Sequence, residues 1–248
     1  MTEAKRWVRD EKVAVVSGAS RGIGRAVALE LAARGYALVL IARNSPDLVA
    51  LERSMRDLGH HVTAIPTDLS SDEQVNESCE RIRTEFESIA VLVHCAGILE
   101  QGNIQTSRMT DFDRVFRLNA RAALSLTQQL LPRLITASGQ VIFVNSSVTN
   151  APARAGQSGY AASKYALRAI ADSLRAEVND LGVRVTSIYP GRTATPMQQS
   201  LAELEAKPYV PEVLLQPEDI AATIAAALEL PRTAEITDLS IRPMRRSP

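Results

Sequence analysis

Tyr160 and Lys164 stand four residues apart in a stretch, about Gly159 to Leu181, whose apolar period predicts a helix, so their side chains share one face. A free phenol titrates near 10 and is a poor proton shuttle at neutral pH. An ammonium one turn away favours the phenolate, and a second cation in the same site would add to it. Bringing the phenol from about 10 to about 7 requires on the order of 4 kcal/mol of differential stabilisation. Two cations in a partly dry site can supply that; one exposed lysine cannot. The bare Tyr-x-x-x-Lys spacing is equally that of a surface pair. Ser146 and Ser147 add weight, because they lie just beyond the apolar run Gln140–Val144 and Ser147 precedes Tyr160 by thirteen residues. A hydroxyl at the carboxyl end of a strand can bond a carbonyl oxygen as negative charge develops there. Position alone does not choose between the two serines, which could also be turn residues.

Short apolar runs alternate with longer helical periods along the whole chain. The runs are Lys12–Ser17, Ala37–Ile41, Val62–Ile65, Ile89–Val93, Gln140–Val144, Val183–Ile188 and Ile236–Ile241. Helical periods fall at about 20–34, 46–58, 71–86, 110–131, 159–181 and 217–230, with Gly35 and Gly59 as stops and Pro46 and Pro217 as starts. Continuous apolar strands argue for a parallel sheet covered on both faces. The expected fold is a doubly wound three-layer α/β sandwich of the Rossmann type, with about seven mostly parallel strands in one domain. Residues 191–216 show no clean period and hold Pro196, Pro208 and Pro211, which predicts an irregular lid over the site.

The first strand runs into Ser17-Gly18-Ala19-Ser20-Arg21-Gly22-Ile23-Gly24, and Ser20 to Arg34 is the helix that follows. Small residues there admit a pyrophosphate to the helix N-terminus and its free N–H groups. The spacing is G-x-x-x-G-x-G, not the more usual G-x-G-x-x-G. The second strand ends Ile41-Ala42-Arg43-Asn44 with no carboxylate to hold a ribose 2′-hydroxyl. Arg43 and Arg21 would instead suit a 2′-phosphate, so the cofactor expected is NADP(H). Asp68, in Thr67-Asp68-Leu69 after the third strand, could accept a bond from adenine or cap a turn.

Lys+Arg and Asp+Glu balance at 28 each, which leaves no global field to favour nucleic acid or an anionic membrane. The two cysteines, Cys79 and Cys95, are too few for a disulfide framework and fit a reducing cytoplasm. The charged residues Glu3, Lys5, Arg6, Arg9 and Asp10 argue against a signal peptide, and no apolar stretch is long enough to span a membrane. His94 and Cys95 read as a core histidine and a small buried hydrophobe, and no metal site is expected.

Together these motifs resemble the short-chain dehydrogenase/reductase family, from about residue 11 to 241. The glycine turn, Asp68, Asn119, Ser147, Tyr160-x-x-x-Lys164 and Pro190-Gly191-Arg-Thr-Ala-Thr195 occur in the family's order and spacing. The resemblance implies that Tyr160 is the general acid of reduction and the base of oxidation. Lys164 would lower its pKa and bind the nicotinamide ribose, and Ser147 would orient the carbonyl. Asn119 would hold a water leading from Lys164 to solvent. Gly18, Ser20, Arg21, Gly22, Ile23, Gly24, Arg43, Asp68, Leu69, Ala96 and Gly97 would contact the cofactor, with Pro190, Gly191, Thr193 and Thr195 at its nicotinamide end. His94-Cys95-Ala96-Gly97 departs from the family's Asn-Asn-Ala-Gly, and Ser17 replaces a threonine. The implied activity is NADPH-dependent reduction of a ketone or aldehyde to an alcohol; a catalytically silent NADP-binding sensor or scaffold is the alternative. Segments 98–105, 148–158 and 191–216 would wall the substrate, and their mixture of apolar residues with Arg154, Gln157 and Gln198 implies a moderately apolar one. Helices at 110–134 and 158–181 would pair copies of the chain into a homodimer or homotetramer.

Overall fold

A computed structural model describes residues 11–152 and 154–245. The charged residues from Glu3 to Asp10 used above, and Arg246, lie outside that range. Seven strands form one parallel sheet: β1 (Val13–Ser17), β2 (Ala37–Ala42), β3 (Val62–Pro66), β4 (Val91–His94), β5 (Gln140–Val144), β6 (Arg184–Pro190) and β7 (Asp238–Ile241). Their order across the sheet is β3-β2-β1-β4-β5-β6-β7. The order reverses between β1 and β4, where Ser17 pairs with His94, and that reversal opens a crevice at the carboxyl ends of the two strands.

Both faces are covered. Val13 and Val15 of β1 belong to the core beneath α3 (Asp72–Glu85), α5 (Ala122–Thr136) and α6 (Ser158–Val178). Ala14 and Val16, pointing the other way, join the core beneath α1 (Gly22–Ala33), α2 (Pro46–Asp57) and α8 (Pro217–Leu228). Alternate residues of one strand thus feed two separate cores, which is why the inner strands are buried throughout, whereas β7 at the edge alternates exposed and half-buried residues.

Two elements differ from expectation. The helix expected over 110–131 runs from α4 (Met109–Phe116) into α5 through a π-helical turn, Arg117–Arg121, centred on Asn119. Such a turn winds one extra residue into the helix and frequently marks a functional position. The segment 191–216 also holds a regular helix, α7 (Pro196–Leu204), started by Pro196 and capped by the Thr195 hydroxyl, which accepts from Gln198 N. Nine residues are too few for a clear period, so α7 escaped the sequence pattern. The segment is tied down at both ends: Thr193 bridges Leu215, and Ala194 N donates to Leu215 O at 2.7 Å.

Candidate active site

Gly18 has φ +68°, and a Cβ there would stand 2.7 Å from Ala96 Cα, so the glycine turn and the end of β4 meet at the crevice. A Cβ on Gly24 would collide with the Gly18 carbonyl, which closes the turn tightly onto α1. Helix α1 begins without a side-chain cap and without an acidic residue in its first turn, whereas Ser45 and Ser71 cap α2 and α3. Its first N–H groups are left facing the crevice, as an anion site requires. A close backbone cradle and an uncapped helix start together fit a dinucleotide pyrophosphate.

Along the rim, Arg21 and Arg43 are exposed, and neither forms an ion pair with a carboxylate among the described residues. Leu69 is buried. The Asp68 carboxylate accepts from Ser70 N at 2.9 Å, so it caps the turn after β3. Ser20 is half-buried within the glycine turn. A Cβ on Gly22 would approach Thr195 Cγ2 to 3.2 Å, which joins the glycine turn to the segment after β6.

On α6, Tyr160, Ser163, Lys164, Leu167 and Ala171 are buried and share one stripe. That stripe delivers phenol and ammonium together, with Lys164 Nζ 5.9 Å from the centre of the Tyr160 ring. Lys164 Nζ also donates to Val144 O, the last carbonyl of β5, at 3.0 Å. Burial holds the Tyr160 phenol above its ordinary pKa, with a hydrogen bond from Ser146 pulling the other way. Burial also brings Lys164 down to about 8. Ser146 and Ser147 both stand at the cavity wall with Tyr160, and Ser146 Oγ accepts from Val148 N at 3.2 Å.

Asn119 reaches from the π-turn to the loop after β4. Its Oδ1 accepts from Ile98 N at 2.8 Å, and its Nδ2 donates to Ile98 O at 2.9 Å and to Ser163 Oγ at 3.0 Å. Ser163 Oγ in turn donates to Tyr160 O at 2.7 Å. Both N–H bonds of the carboxamide are committed to protein, so Oδ1 alone has capacity left toward a water. Gly97 sits beside this group, since a Cβ there would lie 3.3 Å from Asn119 Oδ1 and 3.8 Å from Lys164 Nζ.

A cavity of about 540 Å³ opens at the carboxyl ends of β5 and β6. It collects Ile23, Ser147, Tyr160, Pro190, Gly191, Thr193 and Thr195 from the expected set, while Asn119 and Lys164 are buried outside its lining and Arg21, Arg43, Asp68 and Leu69 stand farther along the rim. Thr193 Oγ1 donates to Gly191 O at 3.0 Å and Thr195 Oγ1 to Thr193 O at 3.2 Å, which stiffens the bend after Pro190.

Three further residues were missed in the sequence. Ser163 was passed over, although a polar residue on the buried stripe between Tyr160 and Lys164 was a visible signal. Ser146 was considered but not assigned. Asn145 is 4% exposed and lines the cavity, and neither atom of its carboxamide has a hydrogen-bond partner. Its only signal was a polar residue directly after an apolar strand. His94 is buried against Phe143, bonded through Nε2 to Thr127 Oγ1 at 2.8 Å, and driven down to about 3, so it is neutral. Burial pushes the Cys95 thiol up to about 12. No cluster of three or more potential metal ligands occurs among the described residues.

Comparison with known proteins agrees with this geometry. The profile of the short chain dehydrogenase family matches residues 12–206. An uncharacterized oxidoreductase of Staphylococcus epidermidis is 31% identical over 94% of this chain and 98% of its own length. The glycine betaine reductase ATRR of Emericella nidulans is also 31% identical over 94% of this chain, which spans only 19% of that longer protein. Among solved structures, the alcohol dehydrogenase from the archaeon Thermococcus sibiricus, complexed with 5-hydroxy-NADP, superposes with a TM-score of 0.86 at 28% identity, covering 96% of this chain and 99% of that one. With the cradle, the crevice and the buried tyrosine-lysine stripe in place, the chain belongs to the short-chain dehydrogenase/reductase family, an oxidoreductase family.

Proposed function

We propose that this chain is an NADPH-dependent reductase that converts a ketone or aldehyde to an alcohol, reversibly, with Tyr160 as general acid/base. The observation that carries the reading is a buried, protonated phenol on the wall of the cavity beside two serine hydroxyls, with an ammonium on the same helical stripe. NADP(H) fits the residues present: the turn Gly18–Gly24 cradles the pyrophosphate, and Arg21 and Arg43 suit a 2′-phosphate at a strand end that lacks an acid. The NADP derivative held by the Thermococcus sibiricus enzyme supports this preference.

The reduced cofactor supplies a hydride to the carbonyl carbon. The protein does the rest. Ser147 binds the carbonyl oxygen and polarises it, with Ser146 beside it holding the phenol in line. The Tyr160 hydroxyl gives its proton to the oxygen as alkoxide character develops, and the Lys164 ammonium stabilises the phenolate left behind. Segment 191–216 covers the site, with α7 as its mobile part between the anchors at Thr193 and Leu215. The whole chain acts as one domain in the cytoplasm, and copies associate through α4–α6 into a homodimer or homotetramer. A silent sensor would need no set of three hydroxyls, Ser146, Ser147 and Tyr160, at one cavity wall.

Tyr160→Phe is expected to bind NADPH as the parent does, by quenching of protein fluorescence, while turnover falls by about 10²–10⁴ in NADPH oxidation against a carbonyl panel. Retention of most of the parent's turnover would remove Tyr160 from the reaction.

A further inference from the structure

The cavity's charged groups all have one sign. Arg154, Arg192, Arg242 and Arg245 line it, and no Asp or Glu does. They come from three separate places: the loop between β5 and α6, the bend after β6, and the segment after β7. Their convergence therefore belongs to the fold and not to one basic run. The packing is close at the bend, where a Cβ on Gly191 would stand 2.9 Å from Pro243 Cδ and 3.3 Å from Arg242 Cα. Arg192 is held by Glu205 of the α7 terminus, Nη2 to Oε2 at 3.3 Å, and Glu205 is itself shared with Lys207 at 2.9 Å. Arg154, Arg242 and Arg245 have no carboxylate partner among the described residues. Arg154, Arg242 and Arg245 are exposed at the cavity's mouth, and the amides deeper in its wall, Asn145, Gln157 and Gln198, are neutral.

These cations do not serve the cofactor's 2′-phosphate. Arg43 follows β2, whereas the four arginines gather past β5, β6 and β7. At roughly 4.8 Å between neighbouring strands, β2 and β6 lie about 19 Å apart across the sheet. The arginines belong to the substrate half of the crevice. An arginine without a carboxylate in a concave site attracts an anion and fits its planar oxygens, and carboxylate and phosphate offer the same recognition.

We propose that the physiological substrate is a carbonyl compound bearing an anionic group, a carboxylate or a phosphate, set toward Arg154, Arg192, Arg242 and Arg245 while its carbonyl meets Tyr160. Leu99, Val148, Met197 and Leu201 of the same cavity supply an apolar wall between the two ends. The inference rests on the reductase reading. It adds an anionic end to the moderately apolar substrate expected from the nearby segments, which did not include Arg242 and Arg245, some eighty residues beyond the tyrosine in sequence.

The test compares matched pairs in NADPH oxidation: levulinate against methyl levulinate, and dihydroxyacetone phosphate against dihydroxyacetone. The anion of at least one pair is expected to exceed its neutral partner by tenfold or more in kcat/KM, chiefly through KM, with the advantage shrinking as salt rises from about 0.05 to 0.5 M. The pair that shows the advantage tells carboxylate from phosphate. Arg242→Gln and Arg154→Gln should each lower the anion-to-neutral ratio several-fold. Glutarate should inhibit competitively against the carbonyl and not against NADPH. If the neutral partners are reduced as well as or better than the anions, the proposal fails and the reductase reading stands. If no member of either pair is reduced and glutarate leaves protein fluorescence unchanged, the proposal fails. Activity on a wider carbonyl panel then decides the reductase reading separately.

Discussion

Burial drives Tyr160 and Lys164 toward their neutral forms, raising the phenol and lowering the ammonium to about 8. The cost falls on the lysine at neutral pH. Its folded pKa lies below the ordinary 10.5, so between about 8 and 10.5 the unfolded chain binds more protons than the folded one. Stability of the cofactor-free protein should therefore rise with pH through that window and carry the full penalty below it. Lys164→Met should remove this slope and stabilise the cofactor-free protein at pH 7 by at most about 3 kcal/mol, less the cost of leaving Val144 O without its donor. Urea titrations at pH 7 and 10 measure both effects, and an unchanged slope would mean that the lysine is not desolvated as described. At this scale the sequence was readable where chemistry depends on spacing: Tyr160, Lys164 and Ser147 stand at distances fixed by a helix and a strand end. It was not readable where chemistry depends on who faces whom. Nothing local to Asn145 announces an unpaired amide, and nothing separates Ser146 from Ser147 except the direction in which β5 ends.

The π-turn between α4 and α5 lets one side chain fasten three elements. Asn119 bonds the backbone of Ile98 after β4 and the Ser163 hydroxyl on α6, and Ser163 bonds the Tyr160 carbonyl. The stripe that carries Tyr160 and Lys164 is thus braced from a neighbouring helix. Asn119→Leu should destabilise the protein by roughly 2–3 kcal/mol, because it leaves the Ile98 N–H and C=O without partners in a partly buried place and takes from the Ser163 oxygen the donor it accepts from. The measurement is the urea midpoint with the slope held constant. A change under about 0.5 kcal/mol would show that the brace carries no load. Periodicity did predict a helix across 110–131, but the inserted residue, which turns the apolar phase by about 100°, does not mark itself in composition. The same limit hid α7, whereas α2 was plain because Pro46 and Gly59 punctuate it.

Across the whole molecule, the faces that meet the sheet are fully used, and the outer faces of the α4–α6 layer are not. Phe116, Leu124 and Tyr165 are 37%, 48% and 51% exposed there, with Met109 at 67%. Association through that layer would cover them, so light scattering behind size exclusion should give a mass two or four times 26.9 kDa. A mass of one chain at micromolar concentration would count against it. The sheet order was legible in outline, since alternating strands and helices admit few right-handed windings, and the seven strands fell where the apolar runs lie. The reversal between β1 and β4 has a consequence for biosynthesis. The turn after β1, Arg43 and Asp68, proposed for the adenosine end, are translated within the first seventy residues, the tyrosine follows about ninety residues later, and Arg242 emerges almost last. A nascent chain held on the ribosome therefore owns half a binding cleft for most of its synthesis. Only once β6 and the bend after Pro190 are made does the crevice have both banks, and a dinucleotide laid across it would tie the turn after β1 to a segment made some 170 residues later.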